Sequence, residues 1–201
     1  MDERDEIKKK IIKRALIHIP FEGWTQDVLE RAAIEEGYDP SFGWRLFPSG
    51  PIEAISYWSH LLDQEMLHAL LSPENLKVRE KVTLAVKTRL MLLIPYREAA
   101  RKTANFLSLP HHMARGTKLL YQTVNEIWYY AGDTSTDYNF YTKRGLLAWV
   151  YSATFLYWLR DHSDNFENTW TFLDRRIEEV LTLPKLPQKI LRRLRPWKQD
   201  G

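Results

Sequence analysis

Glu65 and His68 stand at the Glu-x-x-His spacing with which helical bundles hold a di-iron centre. Such a centre takes two of these motifs on different helices and two further carboxylates, and the chain has no second Glu-x-x-His. His60, Gln64 and His68 would share one helix face, which supplies too few anionic ligands for a metal. His111 and His112 are neighbours, so on a helix they would point about 100° apart and could not chelate together. Asp161-His162-Ser163-Asp164 brings an acid, an imidazole and a hydroxyl together, but it reads more simply as a helix end followed by an N-cap. There is no phosphate-binding glycine loop and no Gly-x-Ser-x-Gly elbow. The lack of cysteine removes disulfides, thiolate metal sites and Cys nucleophiles. These patterns point away from an enzyme and away from a bound metal or other cofactor.

Two other stretches carry chemistry of a binding kind. Asp133 to Asn139 holds six polar side chains and is followed by Phe140, Tyr141, Lys143 and Arg144. A well-made helix connection explains the Gly132 stop and one capping oxygen among Ser135, Thr136 and Asp137. It does not explain the density of polar and aromatic groups that follows. The second stretch is the C-terminal tail from Pro184. Leu186, Ile190, Leu194 and Trp197 share one helical side, and Lys185, Lys189, Arg192, Arg193, Arg195 and Lys198 populate much of the rest. A basic amphipathic helix with Trp at its apolar margin suits an anionic membrane surface, with Lys189, Ile190, Arg192, Arg193, Leu194 and Trp197 as its contacts. Six cations contribute about 1 kcal/mol each at most, so the anchor is weak and reversible. The competing reading is a last helix packed on the body with its charges in water.

The elements that position these stretches are helices. Ile7, Ile11, Ile12, Ala15 and Leu16 recur at helical spacing up to Pro20, and Thr25 caps a second helix that Gly37 stops. Pro40 and Pro48 bound a short third helix. Pro51 opens a fourth helix to about Leu71, and Ser72-Pro73-Glu74 opens a fifth, broken at Pro95. A sixth covers about Tyr96 to Leu107, and a seventh runs from Pro110 to Tyr130. Gly145 to Leu159 contains no formal charge and is apolar nearly all round, which predicts a core helix buried on every side. Its 15 residues would span about 22 Å, short of a bilayer core of about 30 Å. Phe166, Trp170, Leu173, Ile177 and Val180 mark the ninth helix. No strand pattern occurs, and the expected class is all-α, with nine helices and a C-terminal amphipathic helix. Residues 1–50 form one subdomain, 51–183 a helical domain and 184–201 the basic tail. The charged start, MDERDEIKKK, is unlike a targeting peptide, and a cytosolic protein is expected.

The first three helices are spaced like the helix-turn-helix domain of TetR-type regulators, with GYDPSFGWRLFPSGPIEAI where those carry their reading helix. DNA binding needs cations against phosphate. Between Ile19 and Met66 two cations, Arg31 and Arg45, face nine acids, a net charge of −7. Phe42, Trp44, Leu46 and Phe47 look like packing residues. The subdomain reads as a degenerate helix-turn-helix, and DNA is not an expected partner. A ligand-responsive TetR-type regulator stays as the alternative function, with Lys8, Lys9, Lys10, Lys13 and Arg14 in its favour.

The string AGDTSTDYNFYTKRGLLAWVYSATFLYWLRDHSDNFENTW resembles the signature of the ubiquinone-biosynthesis accessory family, coenzyme-Q protein nine. The resemblance covers most of the C-terminal half. It implies a TetR-like all-α fold without DNA binding, a homodimer through the last long helices, and an apolar pocket for isoprenoid or other lipid. It also implies support for a di-iron hydroxylase that acts on demethoxyubiquinone at the membrane surface. Carried onto this chain, the partner-binding residues are Asp133, Ser135, Asp137, Asn139, Phe140, Tyr141 and Arg144. Family members often carry Trp where this chain has Phe140. The pocket is expected between the fifth, seventh and eighth helices, lined by Met91, Leu120, Val124, Trp128, Val150, Thr154 and Trp158; the other reading of each is ordinary core. The implied location is the cytoplasmic face of a bacterial inner membrane, or the mitochondrial matrix side for a trimmed eukaryotic chain.

Overall fold

The computed structural model describes residues 3–70, 76–133 and 138–182. Among these residues there are nine α-helices, two short 3-10 turns and no strand. The helices are α1 (Glu3–Glu22), α2 (Gln26–Glu35), α3 (Phe42–Leu46), α4 (Pro51–Ala69) and α5 (Val78–Leu92). They continue as α6 (Arg97–Leu107), α7 (Met113–Tyr130), α8 (Tyr138–Trp158) and α9 (Glu167–Thr182). None of them is long and apolar enough to cross a membrane. The basic tail, with Lys189, Ile190, Arg192, Arg193, Leu194 and Trp197, lies outside the described residues, as do Ser72-Pro73-Glu74, Ser135 and Asp137.

Most boundaries follow the local chemistry. Thr25 Oγ1 accepts the Val28 N–H at 3.2 Å and caps α2. Gly132 takes φ 85°, where its N–H donates to Tyr129 O at 3.0 Å and ends α7. Three boundaries differ from expectation. α1 runs through Pro20 to Glu22 and stops at Gly23, whose φ is 74° and whose N–H donates to Ile19 O at 2.9 Å. Proline in the last turn forfeits only one bond, so the left-handed glycine ends the helix. α7 starts at Met113, not Pro110, because His112 N closes a turn onto Leu109 O at 2.8 Å. α5 begins only at Val78, where Lys77 N–H donates to Glu80 Oε2 at 2.7 Å.

One continuous core joins the first three helices to the rest. Ile11, Ile12 and Ile19 on α1 are fully buried against Val28, Leu29 and Ala32 on α2, each such side chain contributing about 1.5–3 kcal/mol. Trp24 ties this unit to α6 by donating from Nε1 to Thr103 Oγ1 at 2.8 Å, and its ring centroid lies 6.0 Å from that of Trp58 on α4.

α8 is not buried all round. Leu147, Val150, Tyr151, Thr154 and Trp158 face the core, but Trp149 is 50 % and Leu156 58 % exposed. An apolar face left open on a helix of this length is the kind of surface that a partner covers.

Asp161, which a catalytic reading would have used, organises the start of α9. It accepts hydrogen bonds from Ser163 N (2.9 Å), Ser163 Oγ (2.7 Å), Thr169 N (2.9 Å) and Thr169 Oγ1 (2.6 Å). Burial alone would raise its pKa; these bonds outweigh it and hold the carboxyl down to about 2. The folded value lies below the unfolded value of about 3.9, so the stabilisation is present above pH ~4 and is lost as pH falls through about 2. We expect Asp161→Asn to lower stability by roughly 0.5–2 kcal/mol at pH 7, the range for a lost cap. In urea titrations the gap from the native chain should narrow between pH ~4 and ~2; a gap constant across that window would refute the assignment.

Candidate functional site

Five helices enclose a cavity of about 280 Å³, near the lower bound of small-molecule sites at roughly 300–1,000 Å³. Each lining stripe has helical spacing. α4 supplies Ile55, Trp58, Ser59 and Leu62; α6 supplies Ala100, Thr103, Ala104 and Leu107; α7 supplies Gly116, Leu119, Leu120 and Thr123. Tyr151, Ser152, Phe155 and Leu156 come from α8, Arg89 from α5, and Leu93 from the residue after it. Ala100 and Ala104 leave the space, because α6 brings small side chains where a Leu would fill it. Gly116 instead lets α7 approach α6, since a Cβ there would meet the Leu107 Cβ at 3.2 Å. Burial rises from Leu156, 58 % exposed, to Arg89, Thr123 and Tyr151, each under 8 % exposed. The cavity therefore has an open apolar side and a closed inner end.

That inner end is polar. Arg89 Nε donates to Asp63 Oδ1 at 2.7 Å, Nη1 to the Tyr151 hydroxyl at 2.6 Å and Nη2 to Ser59 Oγ at 3.1 Å. Thr123 Oγ1 donates to the Asp63 carboxylate at 3.0 and 3.1 Å. Burial works against the guanidinium charge, but Tyr151 and Asp63 keep the Arg89 pKa above its ordinary value. Burial pushes the Tyr151 hydroxyl up, so it stays protonated.

Of the residues expected to line a pocket, only Leu120 borders this one. Met91 lies on the outer side of α5, 49 % exposed. Val124, Val150, Thr154 and Trp158 are in the packed core, and Trp128 is half-buried beside the α7–α8 connection, its Nε1 donating to Lys143 O at 3.2 Å. The cavity sits nearer α4 and α6 than the apolar stripes suggested. Asp63 and Arg89 were missed altogether. The available signal was a charge in a core position: Arg89 follows Val82, Ala85 and Val86 at helical spacing.

The α7–α8 connection is built from below. The Arg144 side chain is 5 % exposed and the Asp133 side chain 4 %. Arg144 Nε donates to Asn125 Oδ1 at 3.0 Å and Nη1 to Asp133 Oδ2 at 3.2 Å, while its guanidinium lies 3.3 Å from the Phe140 ring centroid. Lys143 Nζ meets Asp133 Oδ1 at 2.8 Å. Asp133 and Arg144 thus fix the end of α7 to the first turns of α8. They hold up Phe140, half-buried, and Tyr141, 69 % exposed. The backbone of Asn139 is within α8.

The other candidate clusters are dispersed. Glu65 and His68 are both exposed, and the His60 Nε2 bonds with Gln64 Nε2 at 3.0 Å. His111 and His112 occupy the turn before α7, and His112 stacks on Phe106 with centroids 4.3 Å apart. No three His, Asp or Glu converge as metal ligands among the described residues. In the N-terminal unit Arg14 Nε pairs with Glu36 at 2.9 Å, Arg31 with Glu22, and the Arg45 guanidinium lies 5.2 Å from the Phe42 ring centroid. α3 has five residues, of which Leu46 is buried, but Trp44 is 57 % exposed rather than packed.

The whole arrangement superposes on a TetR transcriptional regulator from Nitrosomonas europaea with TM-score 0.71 at 19 % identity, covering 88 % of this chain and 98 % of that one. The fold is that of the TetR-type proteins, here with an apolar cavity among its later helices. The COQ9 family model matches residues 113–184, from α7 to the end of α9. The mitochondrial ubiquinone biosynthesis protein COQ9 of Rattus norvegicus is 35 % identical over 191 residues, 90 % of this chain and 61 % of that protein. Its Homo sapiens counterpart is 32 % identical over 191 residues, with 90 % and 60 % covered. The chain is thus similar to the COQ9 family, through the model over residues 113–184 and through these relatives over 90 % of its own length. It spans about 60 % of the length of these relatives.

Proposed function

We propose that this chain is a lipid-binding accessory protein of ubiquinone biosynthesis without chemistry of its own. It shields part of a polyprenyl quinone intermediate and presents it to a di-iron demethoxyubiquinone hydroxylase at a membrane surface. The observation that carries this reading is the apolar cavity of about 280 Å³ in the TetR-like fold of a chain similar to the COQ9 family. A site of this size takes one end of such a lipid and leaves the remainder outside. The relatives named above are mitochondrial, which favours the matrix side of the inner membrane; in a bacterial chain the equivalent is the cytoplasmic face. The basic tail, residues 184–201, is proposed as the membrane contact. Duplex DNA is not a proposed partner, because the cations beside α3 are paired or stacked within the chain.

Phe140 and Tyr141 are the proposed docking residues for the hydroxylase, with Asp133 and Arg144 positioning them and Ser135, Asp137 and Asn139 as further proposed partner contacts. An exposed aromatic carried on a rigid support is the make-up of an interface hot spot. The open face of α8 around Trp149 is the proposed homodimer contact.

Mass spectrometry of an organic extract of the purified chain should recover a quinone-like or phospholipid guest, and a lipid-free extract would defeat the lipid reading. Removing residues 184–201 should abolish co-flotation with anionic liposomes; retained flotation would exclude the tail as the anchor. The double variant Phe140→Ala/Tyr141→Ala should keep the dimeric mass of the native chain in light scattering but lose capture of the hydroxylase. Unchanged capture would remove the docking assignment, and a monomeric native chain would remove the dimer.

A further inference from the structure

Among the described residues Arg89 is the one charged side chain bordering the cavity, and it has donors to spare. A guanidinium carries five N–H groups. Three are engaged, by Asp63, Tyr151 and Ser59. The Tyr151 hydroxyl accepts from Arg89, which leaves its own proton free to be donated. Tyr151, like Arg89, borders the cavity. A buried ion pair alone is a weak source of stability, since apolar residues of similar volume often serve as well. Donors set in the wall of an apolar cavity suit recognition instead.

The charge balance selects the ligand. Arg89 and Asp63 sum to zero, so a carboxylate or phosphate entering here would lose its hydration without meeting net positive charge. An uncharged oxygen acceptor loses less and gains the same hydrogen bonds. We propose that Arg89 and Tyr151 form a donor site at the inner end of the cavity for a neutral carbonyl oxygen, as in a quinone or an ester, borne on an apolar chain that leaves past Leu107, Leu120 and Leu156. This deepens the lipid-binding reading and rests on it. Tyr151 and Arg89 are then the specificity-determining residues: they select which end of the lipid enters, and the apolar wall holds the rest.

The test is calorimetric titration with two probes of matched shape, a benzoquinone carrying one prenyl unit and prenylbenzene, which has no acceptor. Two variants are used. Tyr151→Phe removes one oxygen, and Arg89→Met/Asp63→Leu removes both charges together so that neither is left buried alone; thermal melts check that both fold. The native chain should bind the quinone at least roughly tenfold more tightly than prenylbenzene, and each variant should lose most of that advantage, as expected for lost charge-assisted hydrogen bonds. Affinity for prenylbenzene should stay within about twofold, its contacts being those of the unchanged apolar wall. Equal affinities in the native chain, or a fall for both probes together in the variants, would overturn the donor site and leave the lipid reading standing. Binding of neither probe to the native chain would sink both. Methyl decanoate and decanoate form a second pair: the ester should bind more tightly, and tighter binding of the carboxylate would overturn the neutral-acceptor assignment. The native preference between quinone and ester tells which carbonyl the site was built for.

Discussion

Four helices are tied together through one buried ion pair. Asp63 on α4 and Arg89 on α5 draw in Thr123 from α7 and Tyr151 from α8, with Ser59 one turn back on α4. Space of this size is costly: at about 24 cal/mol per Å³ an unfilled apolar void of the same volume would consume several kcal/mol of a stability on the order of 5–15 kcal/mol. Hydrogen bonds have fixed lengths and directions. The network therefore pins α4, α5, α7 and α8 at one end, and Ala100 and Ala104 on α6 leave room at the other.

The N-terminal unit shows the opposite use of charge. Several of its cations are engaged inside the chain: Arg14 with Glu36, Arg31 with Glu22, Lys8 over the rings of Phe47 and Tyr57. α3 keeps the place of a reading helix but offers five residues and an exposed Trp44, with no run of cations to meet phosphate. What it contributes is packing. Trp24 reaches from this unit to Thr103 on α6, which borders the cavity, so the first helices buttress the cavity wall.

The helices were legible because their stops are local chemistry. Thr25, Gly37, Pro51 and Gly132 act within a few residues of themselves, and a single sequence contains all that is needed to read them. The cavity was not legible in the same way. Val124, Val150 and Leu120 have one residue type and one periodicity, and which of them faces space depends on helix rotations set by distant contacts. Asp63 and Arg89 lie 26 residues apart on different helices, so their pairing is a tertiary fact, although each stood out as a charge within an apolar stripe. The pair of small residues Ala100 and Ala104, one turn apart on α6, was the better pointer to a void, and apolar bulk was the worse one. α8 misled for a related reason: an apolar circumference is needed by a helix buried on every side, but equally by one that lines a cavity, packs on α9 and leaves a third face open.

The family match begins at Met113 and so takes in Thr123 and Tyr151, while Ser59, Asp63 and Arg89 lie ahead of it. The polar end of the cavity is thus assembled across that boundary, from the best-matched helices and from the ones before them. Neither part would suffice. Without α4 and α5, Tyr151 would be one more buried phenol with an unmet hydroxyl; without α7 and α8, Arg89 would have a counter-charge but no cavity to face. The same helix that brings Tyr151 to this inner end carries Phe140 and Tyr141 at its other end, set on Arg144. α8 thereby links, within 21 residues, the place where a lipid end can be held and the surface where a partner can be met. At about 1.5 Å per residue, the 10–11 residues from Phe140 and Tyr141 to Tyr151 span about 16 Å of that helix.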